Sequence, residues 1–348
     1  IENLFDGLML NIPTQSVIFS GLRGVGKTVL LNRLQTIAEE KGIFCRHIEV
    51  EERNDFISQI ASCSQAFLRK ISTVEKFKHL IQKPLDAIKA LVVSFAPGEN
   101  TFSLSVQERE LYTTVNLTQS LTDVFCTIGE AAGKAETPIC FFIDEIQYMK
   151  SNELGALIAA LHRANQLGYP ERLFVYKEIG SLEETQAREA IEKPAEKMHV
   201  RYTDDAVTKI IRLTKGYPFF IQQLCQIVYQ NTSTDVIDGK CVEKNVEEFL
   251  KTLDNGFFKV RYERCSEADK KFIFAMTACG ELPCTISSAA KIMNKTVNSI
   301  STSRAQLISK GIIYSVRYKE LDFTVPEFDA YVRRLEEYQE WKKENKIR

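Results

Sequence analysis

The pattern of apolar and polar positions predicts an α/β region in the first half of the chain. Residues 15–20 form a short apolar run that leads into a glycine-rich loop, and apolar residues at helical spacing follow the loop. Further strands are predicted at 43–50, 139–144 and 173–178, and the run over 139–144 is suited to a strand buried on both faces. Alternation of strands and helices predicts a parallel sheet.

Helical patterns occupy 55–90, 121–132 and 152–167. Residues 91–106 instead alternate apolar and polar positions around Pro97-Gly98-Glu99-Asn100, which predicts a β-hairpin inserted into the α/β region.

From Ser181 onward the pattern is mainly helical. A capping box at 181–184, a helix start at Thr203 and a proline in a first turn at Pro218 predict a small helical domain. Three short helical stretches and two strand-like runs, 311–318 and 320–325, follow and are typical of a winged helix. The charged C-terminal residues predict a solvated helix or tail.

Composition limits the classes of function. The 348 residues are 44% hydrophobic and 26% charged with a net charge of −1, so any DNA-binding surface must be local. No apolar run approaches the roughly 20 residues of a membrane span and no signal peptide is evident, which predicts a cytoplasmic protein. Because the first residue is Ile1, we expect further residues to precede it. The nine cysteines are scattered, which indicates reduced thiols and no zinc site.

The first candidate site is the glycine-rich loop, Gly21-Leu-Arg-Gly-Val-Gly-Lys-Thr28, which matches G-x-x-x-x-G-K-[ST] between a predicted strand and helix. Glycines let backbone N–H groups turn toward phosphates, and the helix N-terminus favours negative charge. Lys27 is expected to reach the β and γ phosphates of ATP and Thr28 to bind Mg²⁺. The predicted nucleotide-binding residues of this segment are Gly21, Gly24, Val25, Gly26, Lys27, Thr28 and Val29.

Two acidic residues form the second candidate site. Asp144 is the last residue of the 139–144 strand and Glu145 follows it, at the sheet edge where α/β proteins bind ligands. Asp144 is expected to bind Mg²⁺, directly or through water. Glu145 is the predicted general base for an attacking water, so the pair favours hydrolysis of ATP to ADP over binding alone.

The motif order resembles the AAA+ and STAND ATPases, and is most similar to the archaeal-ATPase type related to origin-recognition initiators. The resemblance covers nearly the whole chain. It rests on the glycine-rich loop and the Asp144-Glu145 pair, and in addition on Glu171-Arg172-Leu173-Phe174, on Gly216-Tyr217-Pro218-Phe219 and on the winged-helix pattern. It implies a P-loop core at 1–178 with a hairpin near 91–106, a helical lid at 179–257, a winged helix at 258–335 and a charged tail at 336–348.

The resemblance also implies roles for single residues. Arg172 would be the finger that completes a neighbouring subunit's site, and Pro218 would pack near the adenine. A surface arginine and a plain helix boundary are the respective alternatives. Phe219 occupies the position where many AAA+ motors have the sensor-2 arginine, which favours a nucleotide-controlled switch over a processive motor.

Sheets of this class have five parallel strands in the order 5-1-4-3-2, and no run in the sequence supplies the fourth. Gly168, Tyr169 and Pro170 lead from the preceding helix directly into Glu171. We therefore expect that a segment on the order of 20 or more residues, one strand with a short helix, is missing between Pro170 and Glu171.

The winged-helix pattern suggests a partner. Residues 285–293 and 296–310 have helix-turn-helix spacing, and the second stretch carries no acidic residue. Candidate contacts to double-stranded DNA are Asn298, Ser301, Arg304 and Lys310. The favoured interpretation is an ATP-hydrolysing switch whose winged helix binds DNA. The alternatives are a signalling or defence protein whose winged helix binds protein, and a loader that forms homo-oligomers through Arg172.

Overall fold

A computed structural model describes residues 1–10, 12, 14–51, 56–96, 116–166, 174–345 and 347. Contacts divide the chain into two compact units. The first unit comprises Ile1–Ser20 and Lys27–Lys177, and the second comprises Gly21–Gly26 and Glu178–Arg348. The glycine-rich loop therefore packs with the second unit, whereas the helix that follows it belongs to the first.

The first unit combines helices with short strands. Its described helices are α1 (Glu2–Met9), α2 (Lys27–Glu40), α3 (Phe56–Ser72), α4 (Gln82–Phe95), α5 (Leu117–Lys134) and α6 (Ser151–Gln166), with 3₁₀ turns at Glu75–Leu80 and Ile146–Tyr148. Its strands are β1 (Ser16–Ser20), β2 (Phe44–Glu49), β3 (Ile139–Asp144) and β4 (Phe174–Glu178).

The strands pair as the predicted order requires. β2 and β3 are parallel, with Phe44 opposite Ile139 and Glu49 opposite Asp144, and β1 pairs with β4. In the expected order 5-1-4-3-2, the β2–β3 pair corresponds to expected strands 2 and 3. The β1–β4 pair corresponds to expected strands 1 and 5, since β4 takes the place of the fifth strand. Within the described ranges no strand joins the two pairs. The proposed missing segment lies outside those ranges and stays a prediction.

Helices α3 to α6 supply most of the first unit's core. Ile60, Leu91, Leu121, Val124 and Ala160 are fully buried within one apolar cluster that also includes residues of β2. A smaller cluster joins α1 and α2 to the other face of the strands through buried residues such as Phe5, Ala38 and Phe142. The two faces of β3 contact different apolar clusters, and Phe142 is the buried residue of the strand, which explains its continuous apolar sequence.

The predicted hairpin is wrong where the structure describes it. Residues 91–95 continue α4, which packs against α3 and α5. Pro84, Ile88, Leu91 and Val92 are the buried residues of this helix and recur at helical spacing. The rest of the predicted hairpin, 97–106, lies outside the described residues.

The second unit is mainly helical. Its helices are α7 (Glu184–Lys197), α8 (Asp204–Thr214), α9 (Pro218–Gln230), α10 (Gly239–Thr252), α11 (Lys259–Tyr262), α12 (Glu267–Ala278), α13 (Ile286–Ile292), α14 (Ser301–Ser309), α15 (Phe328–Arg334) and α16 (Glu336–Glu344), with a π-helical turn at Leu253–Phe258 and a 3₁₀ turn at Asn298–Ile300. Its strands are β5 (Arg201–Tyr202), β6 (Val236–Ile237), β7 (Cys284–Thr285), β8 (Ile313–Arg317) and β9 (Glu320–Phe323).

Helix boundaries in the second unit follow local sequence signals with one correction. Pro218 is the first residue of α9, as predicted. The capping box of α7 is formed by Glu183 and Gln186 instead of Ser181 and Glu184. Glu183 supplies the acceptor for the first turn, so the helix starts two residues later than the predicted box implies.

One apolar cluster runs through the whole second unit. Phe220 of α9, Phe258 of the π-helical turn, Phe272 of α12 and Phe328 of α15 are fully buried members of it. The residues predicted as lid and winged helix therefore share a continuous core. Inside it, β7, β9 and β8 form an antiparallel three-stranded sheet beside α12 to α14.

The charged C-terminal segment is not a solvated tail. Tyr338 and Trp341 of α16 are buried, and the Trp341 ring centroid lies 5.5 Å from that of Phe274 on α12. The two aromatic residues anchor α16 to the core while its charged residues face solvent.

Candidate functional site

The glycine-rich loop packs closely against the second unit. A Cβ atom built on Gly21 would lie 2.1 Å from the carbonyl oxygen of Ile179, so only glycine fits there. Val25 is 4% exposed and joins the apolar cluster. Gly26 has a φ of +88°, and a Cβ there would meet no described atom within 4 Å. The open space at Gly26 fits the cradle that a phosphate needs.

Lys27 and Thr28 are the first two residues of α2 in the first unit. The N-terminus of a helix presents N–H groups and a positive dipole end, which suits a phosphate group. The first turn contains no acidic residue that would oppose an anion. Val29, next in the chain, is 73% exposed, so this turn is open to a ligand.

Thr28 and Asp144 meet directly. The Thr28 hydroxyl Oγ1 donates a hydrogen bond of 2.7 Å to Oδ2 of Asp144, although the residues are 116 positions apart. The other oxygen, Oδ1, accepts a hydrogen bond of 2.9 Å from the backbone N–H of Glu145. A hydroxyl and a carboxylate are the hard oxygen ligands that Mg²⁺ prefers, and Mg²⁺ commonly uses one or two protein ligands together with phosphates. The donor set therefore fits Mg²⁺.

Glu145 is held in an unusual backbone conformation. Its φ and ψ of 54° and 36° lie in the left-handed region, which is sparsely populated by residues other than glycine. Its carboxylate oxygen Oε2 accepts a hydrogen bond from Nε2 of Gln147. Strain and a fixed carboxylate at the end of a buried strand are typical of a catalytic position. Sequence reasoning assigned no role to Gln147.

The Gly216–Phe219 element lies beside the glycine-rich loop. A Cβ on Gly24 would lie 3.1 Å from the Tyr217 hydroxyl oxygen and 3.3 Å from Cβ of Phe219. These contacts are within the second unit and place the start of α9 next to the loop. The role of Pro218 near the adenine stays a prediction. Arg172 lies outside the described residues, so its finger role also stays a prediction.

Among the DNA candidates, Lys310 has another role. Its Nζ donates a hydrogen bond of 2.7 Å to Oδ2 of Asp269, whose side chain is fully buried. Burial alone would raise the pKa of Asp269, but hydrogen bonds from Lys310 and Ser266 hold it below its ordinary value. The Lys310 charge therefore neutralises a buried carboxylate, and its contact with DNA stays a prediction.

The other three DNA candidates differ in exposure. Asn298 and Ser301 are exposed, and the Ser301 hydroxyl donates to the Asn298 carbonyl at 2.7 Å. Arg304 is half-buried, and its Nε has no described hydrogen-bond partner.

The turn between β8 and β9 is basic, and sequence reasoning missed it. Arg317 and Lys319 are exposed, and Tyr318 between them is 87% exposed. The Lys319 ammonium lies 5.0 Å from the Tyr318 ring centroid. The sequence did contain a signal for this basic turn, namely two basic residues on either side of a tyrosine between two predicted strands.

Other chemistry is limited in the described part of the chain. All nine cysteines are unpaired. Among the described residues, no group of three or more histidine, cysteine or acidic side chains is arranged so that it could hold a metal ion. In the same ranges, no helix is both long enough and apolar enough to cross a membrane.

Comparison with protein families decides the classification of the first unit. The model of the AAA ATPase domain matches residues 1–176, which is more than half of the 348 residues. The chain belongs to the AAA ATPase domain family. In this AAA ATPase, a second model, described as a domain of unknown function (DUF8462), matches residues 255–332.

One solved structure shares the fold of this AAA ATPase. The Walker-type ATPase PABY2304 of Pyrococcus abyssi is 14% identical, with 95% of each chain covered and a TM-score of 0.53, and this likeness shows a shared fold.

Two further structures are more distant. The Thermotoga maritima RuvB Holliday junction branch migration motor is 13% identical over 95% of this chain and 91% of that chain, with a TM-score of 0.40. The Aeropyrum pernix Orc1 protein in complex with DNA is 14% identical over 98% and 92%, with a TM-score of 0.35. No curated protein matches the sequence.

Proposed function

We propose that this AAA ATPase binds ATP with Mg²⁺ and hydrolyses it to ADP and phosphate. The observation that carries the proposal is the 2.7 Å hydrogen bond between Thr28 and Asp144. It joins the end of the phosphate-loop motif to the end of β3 through two oxygen atoms of the kind that Mg²⁺ prefers as ligands. Glu145 follows directly, in a strained conformation that fixes its position.

Each residue has a distinct task in the proposed reaction. Backbone N–H groups of the loop and the Lys27 ammonium bind the phosphates, and Thr28 and Asp144 hold the metal. Bound Mg²⁺ supplies positive charge that offsets the charge on the phosphates. Glu145 accepts a proton as water attacks the γ phosphorus, and the bond from that phosphorus to the ADP oxygen breaks. Gln147 orients the Glu145 carboxylate.

Removal of the Thr28 hydroxyl tests the metal assignment. We expect Thr28→Val to lower the Mg²⁺-dependent affinity for ATP by about tenfold or more, because one metal ligand is lost while the side-chain shape is kept. Thr36→Val is the matched control on the same helix, since the Thr36 hydroxyl bonds only the Asn32 carbonyl among the described residues. Equal Mg²⁺ dependence in both variants would exclude Thr28 as a ligand.

Phe219 supports a switch over a motor. Its ring stacks on Phe257 at a centroid distance of 4.6 Å and an interplanar angle of 20°. At this position an apolar residue that packs against Phe257 stands where many AAA+ motors have the sensor-2 arginine. We propose that nucleotide binding and slow hydrolysis change the state of the protein instead of driving repeated translocation.

A second proposed function concerns residues 267–323. Their order of helix, strand, two helices and two strands, with an antiparallel three-stranded sheet, supports a winged helix. Exposed polar residues on and before α14, Asn298, Ser301 and Arg304, together with the basic β8–β9 turn, support binding to duplex DNA. The alternative is a signalling or defence protein in which this domain binds another protein.

Salt dependence separates the two alternatives. Replacing Arg317 and Lys319 together by alanine should reduce the slope of log affinity against log salt by about 2, or one unit per lost phosphate contact. Replacing Lys342 and Lys343 on α16 removes the same charge and should leave the slope unchanged. No measurable duplex affinity of the parent protein at low salt would favour the protein-binding alternative.

A further inference from the structure

Because Phe219 is apolar, any positive charge beside the phosphate loop must come from another residue of the second unit. Phe257, on which Phe219 stacks, is the last residue but one of the π-helical turn Leu253–Phe258. This turn joins α10 to α11 without a break in the helical path. Single π-helical turns are rare and frequently occur at functional sites. The residues that this turn positions are therefore candidates for a functional role.

Arg261 is the charged residue that the turn positions most closely. Its guanidinium carbon lies 3.9 Å from the centroid of the Phe257 ring, and Nη1 donates a hydrogen bond to the Phe257 carbonyl. The ring and the carbonyl of Phe257 together hold the guanidinium group. Arg261 is half-buried, so this position requires partial removal of a cation from water.

The charges around Arg261 are of the wrong sign to stabilise it. Burial and then the positive charge of Arg23 lower the pKa of Arg261 to about 10, with a further contribution from Arg264. Arg23 is the third residue of the phosphate-loop motif. Neither Arg23 nor Arg261 forms an ion pair with a carboxylate of the described residues. Two neighbouring cations without a described counterion favour an added anion.

Tyr217 gives an independent indication of a ligand. Its side chain is 1% exposed, and its hydroxyl has no hydrogen-bond partner among the described residues. The hydroxyl lies beside the loop, since a Cβ on Gly24 would be 3.1 Å from it. Burial raises the pKa of Tyr217 to about 12, so the group remains a hydrogen-bond donor at neutral pH. A buried donor without an acceptor is unfavourable and is expected to find one in the functional complex.

We propose that Arg261, Arg23 and the Tyr217 hydroxyl form an anion-binding cluster for the terminal phosphates of ATP, with Arg261 distinguishing ATP from ADP. The inference rests on the proposed binding of ATP by the phosphate loop. Arg23 belongs to the segment whose backbone binds phosphates, which places the cluster at the polyphosphate end of the nucleotide. ATP carries one more phosphate and more negative charge than ADP, and a planar guanidinium recognises phosphate oxygens with two N–H groups.

Equilibrium binding of fluorescent ATPγS and ADP to the full chain tests the cluster. We expect Arg261→Met to weaken ATPγS binding by about tenfold or more, the effect of one lost charge-assisted hydrogen bond, and ADP binding by less than about threefold. Methionine retains apolar contact with Phe257, so the melting temperature without nucleotide should not fall. Arg23→Met should show the same selectivity for ATPγS, and Arg261→Lys should retain part of it.

Lys259→Met on the same helix is the matched control and should bind both nucleotides as the parent does. Equal losses of ATPγS and ADP affinity in Arg261→Met, or no loss, would overturn the inference. A fall in melting temperature with unchanged nucleotide selectivity would assign Arg261 a purely structural role. Lys27→Ala, measured in parallel, should lose both nucleotides. If the parent protein binds neither nucleotide, the proposed function fails as well, whereas a failure confined to Arg261 and Arg23 leaves it intact.

Discussion

Lys310→Met tests whether the ion pair of Lys310 with Asp269 supports the fold of the second unit. The substitution keeps an apolar chain of similar length and removes the ammonium group. Asp269 then remains fully buried, with Oδ2 accepting a hydrogen bond of 3.1 Å from the Ser266 N–H and with Oδ1 lacking a described partner. The variant thus leaves an uncompensated carboxylate in the core.

The expected loss of stability follows from the burial of the pair. Breaking a fully buried pair costs about 3–5 kcal/mol. The Lys310 side chain is 34% exposed, so water already screens part of the interaction. We therefore expect a loss of about 2–3 kcal/mol in the free energy of unfolding. Asp269→Asn in the Lys310→Met background should restore part of this loss, because the amide carries no charge.

Trp341 provides the assay. It is the only tryptophan, it is buried on α16, and it contacts Phe274 of α12, the helix that also carries Asp269. Urea unfolding followed by its fluorescence reports on this part of the second unit. The pKa of Asp269 is lowered in the parent protein, so its stabilisation is present at neutral pH and is lost as the pH falls below about 4, the value for unfolded aspartate.

In Lys310→Met the pKa of Asp269 shifts in the opposite direction. Burial without a cation raises the pKa of Asp269 in the folded variant. The variant is therefore destabilised at pH values where the unfolded chain ionises this carboxyl, above about pH 4. The difference between parent and variant should therefore be largest at neutral pH and shrink on acidification. An unchanged stability at neutral pH, together with a DNA salt slope reduced by about 1, would refute this reasoning and return Lys310 to a phosphate contact.

Three further outcomes are expected. Tyr217→Phe should leave the stability without nucleotide unchanged or slightly higher and should weaken ATP binding by about threefold to tenfold, as calorimetry can measure. Gln147→Ala should lower kcat by about tenfold with little change in KM, because Glu145 loses its orientation while substrate binding persists. Arg172→Ala should reduce ATPase activity only at concentrations where the protein self-associates. Mixing this variant with Glu145→Gln should restore some activity. A protein that stays monomeric with constant specific activity would exclude a role of Arg172 in trans.

The sequence predicted best the elements with strong local signals. β3 spans the predicted residues 139–144, because a continuous apolar run between a proline and two acids has few alternative structures. α9 begins at Pro218, because proline has no N–H group and suits the first turn of a helix. The Thr28–Asp144 hydrogen bond follows from two motifs whose chemistry requires them to meet.

Elements that depend on distant contacts could not be predicted in the same way. Residues 91–95 resemble a strand locally, and they are helical because Leu91 and Val92 pack into the helical core. The charged segment of α16 is held by Trp341, whose partner Phe274 is far along the chain. Local propensity is a weak guide wherever tertiary packing decides the structure.

The same limit applies to single charged residues. The sequence did not show that Lys310 pairs with Asp269, because the two residues are 41 positions apart. No role was predicted for Arg261, because nothing in its local sequence indicates its contact with Phe257. Such roles depend on the packing of separate helices, which a sequence pattern does not contain.

The central claim is that Glu145 is the base that activates water beside the metal ligands Thr28 and Asp144. Single-turnover hydrolysis of ATP by the parent protein and by Glu145→Gln, with ATP affinity measured in the same samples, tests it most directly. We expect the amide variant to retain the parent affinity and to hydrolyse ATP about 10²–10⁴-fold more slowly, the usual contribution of a general base. Equal hydrolysis rates in the two proteins at equal nucleotide occupancy would contradict the account.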